Sequence, residues 1–334
     1  MKKCSYISLV TIFFAGVVAC KKDQPVPVKT FPAGGYGFAC QDTALDWKPF
    51  KPDPFGLVYH YTMSNGNRGI WRVAYDPFDP DVLYYITLEN TTGKCIYRYN
   101  RRTRVRTLLD QNVLDDFSVS HTGLIAYEKV DFNIYVMTTN GDSIHAVTSG
   151  NRFLYPVWSA DGKSLLICDQ QQPPSLPKEI IVDKNGTLLQ SLNWLENRNV
   201  YHITNFVYYF SFNTTNEIYR RDLVTGIDKL ITNDNTDLRT LFVNSSNMVL
   251  YYTTQNGGLF SVNLATLEKV KLVSSGYGSH SYLNHFVLSG LTGRFAAVQT
   301  TDNLSLPDTS TINEQGDIIE FSPDGKCRQK LVLP

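Results

Sequence analysis

Six times along the chain, an apolar strand that opens on an Ile-Tyr-like pair runs through a polar turn into a second strand rich in Leu or Val. The copies start at Ile96, Ile134, Ile180, Ile218, Leu259 and Ile318. They lead to Leu108-Leu109, Val147-Thr148, Leu188-Leu189, Leu230-Ile231, Leu272-Val273 and Leu331-Val332. The starts lie 38, 46, 38, 41 and 59 residues apart. Upstream of each copy is another strand pair around a turn. The clearest runs from Tyr155 to Cys168, where Asp161-Gly162 supplies the positive φ that a tight hairpin needs. Weaker versions occupy 117–127, 243–250 and 288–295. Four short strands in roughly 40–45 residues make one propeller blade. Six such units predict an all-β, six-bladed β-propeller of four-stranded blades over residues 55–334. Apolar runs such as Val82-Leu83-Tyr84-Tyr85-Ile86 agree, because a blade buries both faces against its neighbours and has no wet face to enforce alternation. Phe55 to Tyr61 also reads as a strand, and it is expected to complete the last blade, built by Lys330-Leu331-Val332-Leu333, or else to cap the ring.

Composition narrows the function without naming it. The 31 basic and 31 acidic residues cancel, so the basic excess of a nucleic-acid binder is missing. Tyr and Phe, at 20 and 18, favour β structure.

The first residues are patterned differently. Lys2 and Lys3 precede an apolar run from Tyr6 to Ala19 that is too short to span a bilayer, which takes roughly 20 residues. A charged start, a short apolar stretch and small residues at its end describe a secretory signal, residues 1–19. Val17-Val18-Ala19-Cys20 resembles the lipobox of bacterial lipoproteins, and that resemblance implies cleavage before Cys20 and acylation of its thiol. An ordinary cleavable signal or a short uncleaved anchor are the alternatives. Residues 20–54 carry Pro25, Pro27, Pro32, Gly34, Gly35 and Gly37 and read as a tether. The Cys-Lys-Lys-Asp start is similar to that of Bacteroidetes-type lipoproteins, and the lack of Asp directly after Cys20 implies the outer membrane. If Cys20 is acylated, Cys40, Cys95, Cys168 and Cys327 could pair in three ways, but Cys95 and Cys168 lie in strand-like surroundings suited to buried thiols.

The segment Trp158-Ser159-Ala160-Asp161-Gly162-Lys163, with Ile134-Tyr135-Val136-Met137 before it and Phe321-Ser322-Pro323-Asp324-Gly325-Lys326 near the end, resembles the TolB-like, WD40-related propeller repeat. One blade carries the full motif and the others have lost the Trp or the Asp-Gly. TolB has a further N-terminal α/β domain, and no such segment fits before residue 55. The resemblance implies a role in protein assembly at the cell envelope. It also implies an alternative, since some TolB-like propellers are oligogalacturonate lyases that gather His and other ligands around the axis.

Motifs for chemistry are missing. The sequence holds no Gly-x-Ser-x-Gly elbow, no His-Glu-x-x-His, no phosphate loop and no dinucleotide fingerprint. Asp76, Asp79, Asp81 and the pair Asp115-Asp116 read as loop carboxylates, solvated rather than metal-bound, because they lack calcium-loop spacing. No cofactor and no metal is expected. A propeller brings the start of each innermost strand to the mouth of its channel. The residues expected there are Arg68, Asp116, Tyr155, His202, Arg239 and His285. Their mixed charge and aromatic character suits a peptide or a glycan. The expectation is therefore a monomeric, lipid-anchored envelope protein whose propeller binds an envelope protein or a glycan.

Overall fold

The computed structural model describes residues 70–89, 93–171, 177–192, 200–203, 205–211, 216–236, 238–244, 248–254, 258–273, 281–301, 316–331 and 333. Among them are 24 strands and no helix. Blade I is β1 (Ile70–Tyr75), β2 (Val82–Glu89), β3 (Gly93–Asn100) and β4 (Val105–Gln111). Blade II is β5 (Val113–Val119), β6 (Leu124–Lys129), β7 (Ile134–Thr138) and β8 (His145–Ala146). Blade III is β9 (Phe153–Trp158), β10 (Ser164–Asp169), β11 (Lys178–Asp183) and β12 (Leu188–Leu192). Blade IV is β13 (Val200–Ile203), β14 (Phe206–Phe210), β15 (Glu217–Asp222) and β16 (Asp228–Asn233). Blade V is β17 (Leu238–Asn244), β18 (Val249–Thr254), β19 (Leu259–Asn263) and β20 (Lys269–Val273). Blade VI is β21 (Ser281–Leu288), β22 (Phe295–Thr301), β23 (Gly316–Phe321) and β24 (Arg328–Leu331).

Each blade is an antiparallel meander in chain order, and the first strands of successive blades touch one another around a closed circle, β21 against β1 included. The six Ile-Tyr-like repeats are the third and fourth strands of the six blades, and the upstream hairpins are the first and second. Burial follows this order. β10 is buried at every residue, whereas the fourth strands expose Leu108, Leu188, Leu189 and Leu230, since among the described residues no strand covers their outer edge.

Among the described residues the apolar core is divided. Six apolar clusters sit one at each blade interface. Successive side chains of a strand point to opposite faces, so Tyr84 joins the cluster shared with blade II while Leu83 and Tyr85 join the one shared with blade VI. The interface between blades VI and I carries a polar clamp as well. Glu320, with no exposed surface, accepts hydrogen bonds from Tyr75 Oη at 2.9 Å, Arg101 Nη1 at 2.6 Å and Gln329 Nε2 at 2.7 Å. Arg294 Nη1 lies 3.9 Å away, and both arginines also donate to the carbonyl of Pro80. Burial and the Glu320 charge push the Tyr75 phenol well above its usual range, so it stays a donor.

Three expectations change. First, the last blade takes all four of its strands from residues 281–331, and the ring joins through the backbone pair Ile70–Gly316. Phe55 to Tyr61, expected to complete this blade or to cap the ring, lies outside the described residues. Second, Ser159-Asp161-Lys163 and Ser322-Asp324-Lys326 form the same turn: Ser Oγ donates to Asp Oδ1 at 2.7 and 2.6 Å, and the Lys N–H donates to that oxygen at 3.1 Å in both. The former joins β9 to β10 and the latter joins β23 to β24, so Phe321 to Lys326 repeats a local turn and not the blade motif. Third, Asp76 and Asp81 are buried rather than solvated. Asp76 accepts from the N–H groups of Phe78 and Asp79 and from Tyr84 Oη, and Asp81 pairs with Arg102 at 2.7 Å. Cys95 and Cys168 are buried free thiols, and Cys327 is disulfide-bonded to a partner outside the described residues.

Glu320→Gln removes the buried carboxylate that Arg101 and Arg294 share, leaving Arg101 only the more distant Asp81 at 4.0 Å, which costs about 3–5 kcal/mol. Urea denaturation should register that loss, and Lys326→Ala, at an exposed pair, should change stability by less than about 0.5 kcal/mol. Equal, small effects of the two substitutions would remove the clamp from the account.

Candidate functional site

Five of the six innermost strands are interrupted by a register shift. β1 breaks register between Ile70 and Arg72, β5 between Val113 and Phe117, and β9 between Leu154 and Val157. β17 breaks between Leu238 and Leu241, and β21 between Asn284 and Val287. A bulge leaves a residue out of the ladder and re-aims its side chain. The residues set loose are Trp71, the Leu114–Asp116 run, Tyr155-Pro156, Arg239-Thr240 and His285-Phe286. Four of the positions named from sequence, Asp116, Tyr155, Arg239 and His285, thus fall inside bulges. His202 falls in β13, whose ladder is regular. Arg68 lies outside the described residues, as do the side chains of His202, Arg239 and His285.

Among the described residues, the bulges of blades I to III carry a cluster of charged side chains. Arg72 on β1 pairs with Asp116 on β5, and Lys94 on β3 pairs with Asp115. The Lys94 ammonium also stands 3.7 Å over the ring of Trp71, an attraction of roughly 0.5–1 kcal/mol or more as water is excluded. Asp115 and Asp116 are therefore strand residues in ion pairs and not loop carboxylates, as the sequence had implied. Opposite their bulge, on β6, stands Glu128, only 2% exposed. It accepts a hydrogen bond from the backbone N–H of Tyr155 across the blade boundary. Tyr155 holds φ at +56°, a left-handed conformation that costs an aromatic residue on the order of 1–3 kcal/mol. That backbone turn aims its N–H at the carboxyl group.

Burial pushes the Glu128 carboxyl up to about 7, against the opposing pull of the Tyr155 N–H and of Arg72; Asp115 raises it further and Lys94 lowers it. With Glu128 protonated, the cluster balances two cations against two carboxylates. Ionised, it gives the cluster a net negative charge. Nothing in the sequence marks Glu128, which reads there as one polar residue ending the strand Leu124-Ile125-Ala126-Tyr127. Among the described residues no group of three His, Cys, Asp or Glu is placed to hold a metal ion.

No family model matches the sequence, and no curated protein matches it. Solved structures do. TolB from Acinetobacter baumannii superposes with a TM-score of 0.58 at 14% identity, over 79% of this chain and 62% of TolB. A putative TolB from Agrobacterium tumefaciens gives 0.51 at 16% identity, over 71% of this chain and 88% of its own. The fold is that of a TolB-like six-bladed β-propeller. The same TolB-like ring is similar to an oligogalacturonate lyase from Vibrio parahaemolyticus, TM-score 0.51 at 12% identity, over 81% of this chain and 80% of the lyase. The chain spans 62% of the length of the Acinetobacter TolB. At these identities the likeness concerns architecture, and function is argued from the site itself.

The raised Glu128 pKa has a sign. The folded state holds a proton that the unfolded chain releases near pH 4.5, so this group's stabilisation is full below that pH and is lost as pH rises toward 7. Glu128→Gln should therefore be more stable than the parent at pH 8, by an amount on the order of 2–3 kcal/mol, and equal to it near pH 4. Urea midpoints across that range test this, and a difference independent of pH would contradict it.

Proposed function

We propose that this TolB-like propeller is a lipid-anchored module of the cell envelope that binds a protein or glycan ligand at the channel mouth, through Asp116, Tyr155, Arg239 and their neighbours. The observation that carries the reading is the row of bulges that interrupts five inner strands and takes Trp71, Asp115, Asp116 and Tyr155 out of the ladder. Ion pairs hold the mouth in place before any ligand arrives, which limits the ordering cost of binding. The lipobox-like Val17-Val18-Ala19-Cys20 and the Pro- and Gly-rich residues 20–54 support tethering to a membrane, with the propeller facing the periplasm or the cell surface. The TolB likeness supports an envelope role, and partner capture is the chemistry that the mouth suits best.

A second reading, a polysaccharide-acting enzyme of the oligogalacturonate-lyase kind with a metal in the channel, draws on the likeness to the Vibrio lyase and on His202 and His285 lying on inner strands. An ultraviolet assay for unsaturated uronate products with added divalent ions separates the two.

Cross-linked pull-down of the tagged protein from its own membranes should return one stoichiometric envelope component. Asp116→Asn combined with Arg239→Ala should reduce its recovery at least about tenfold, the scale of one lost charge-assisted contact. Cys20→Ser should release the protein from the membrane fraction. Unchanged recovery with the mouth variants would move the site elsewhere, and uronate cleavage would favour the enzyme.

A further inference from the structure

Blade II has the shortest outer strand of the ring: β8 spans two residues, whereas β4, β12, β16, β20 and β24 span four to seven. The face of blade III that a longer β8 would cover is left partly open. A cleft of about 320 Å³ lies there, between residues 147–153 of the inter-blade link and β11 and β12. Its lining is mixed: Val147, Phe153, Ile180, Val182 and Leu188 supply an apolar side, and polar side chains supply the rest. One end is fixed by backbone: a Cβ on Gly186 would come within 2.0 Å of the Val147 carbonyl oxygen.

The polar groups in the cleft are unequal. Arg152 is bound to Asp169, with Nε 2.5 Å from Oδ1 and Nη2 3.3 Å from Oδ2, so those two charges cancel. Lys178 also lines the cleft and has no ion-pair or hydrogen-bond partner among the described residues; the hydroxyls of Ser149 and Ser191 likewise lack one. A single unbalanced cation beside two free hydroxyl donors and an aliphatic wall recognises one negative charge on an apolar body. The Arg152–Asp169 pair is neutral as a unit and offers no cation to a second negative charge, so a single carboxylate suits the cleft better than a phosphate or a polyanion. At roughly 30 Å³ for each heavy-atom group, the volume of one liquid water, the cleft accommodates on the order of ten heavy atoms.

We propose that this cleft between blades II and III is a second binding site, distinct from the channel mouth, for a short apolar chain ending in a carboxylate. Two sources supply that chemistry: the C-terminus of a peptide with an aliphatic last residue, or a free acyl chain. The site does not depend on the function proposed for the mouth.

The test is ligand-observed NMR titration of the full-length Cys20→Ser chain with octanoate and with N-acetyl-leucine. At least one should bind in the millimolar range or tighter, as expected for about ten heavy atoms. Tighter N-acetyl-leucine binding assigns a peptide terminus, and tighter octanoate binding assigns an acyl chain. The uncharged counterparts octanol and N-acetyl-leucinamide should bind at least about tenfold more weakly. Lys178→Gln should weaken binding by a similar factor and Lys178→Arg should retain it, both with unchanged melting temperature. Asp116→Asn, at the mouth, should leave it unaltered. No binding of either acid at roughly 10 mM to the folded chain, or equal affinity in Lys178→Gln, would overturn the proposal.

Discussion

Glu320 lies at the seam where the last blade meets the first, and it is held there by Tyr75, Arg101 and Gln329, with Arg294 beside it. A ring of blades has no central core, and its apolar burial is divided among six interfaces. Five of those interfaces join blades that are consecutive in sequence. The sixth joins residues more than 200 positions apart, as Arg101 and Glu320 show, and the loop entropy of bringing them together is the largest in the molecule. A buried charged acceptor with several donors is unforgiving of misalignment. It therefore selects one register of closure, and the positions of all inner strands around the channel follow from it.

The third and fourth strands were legible because an Ile-Tyr-like pair marks the start of the third strand in blade after blade, as at Ile96, Ile134 and Ile218. Inner strands were harder to read. A bulge breaks the period of two on which strand reading rests, and Asp115-Asp116 looked like a loop for that reason. The ion pairs of those two residues depend on Arg72 and Lys94 from the preceding blade, a contact across some 20 to 45 positions that no local pattern encodes. Glu128 was invisible for the same reason: its environment comes from Tyr155 and Arg72 on two other blades. The Asp-Gly turns were read correctly as structure, but identical turn chemistry at Asp161 and Asp324 concealed that they occupy different corners of their blades.

The bulged cluster of blades I to III, the proposed mouth site, combines two properties that suit binding. Its described charges are already paired, so they hold shape, and the strained Tyr155 backbone keeps an N–H directed at Glu128 rather than at a neighbouring strand. The side cleft has the opposite character, with one unpaired cation over an aliphatic wall. The mouth is produced by extra residues in inner strands and the cleft by missing residues in an outer one. Both are departures from the regular blade, where a repeat architecture has room for specificity without disturbing its interfaces.

The central functional claim is that ligands meet this propeller at the bulged ends of its inner strands. The most direct measurement is site-specific photo-cross-linking in the native cell, with a photoreactive residue at Tyr155 in one strain and at Val224, 77% exposed on the outer turn of blade IV, in another. The account predicts one discrete adduct from position 155 and none from 224. An adduct from 224 with none from 155 would contradict it.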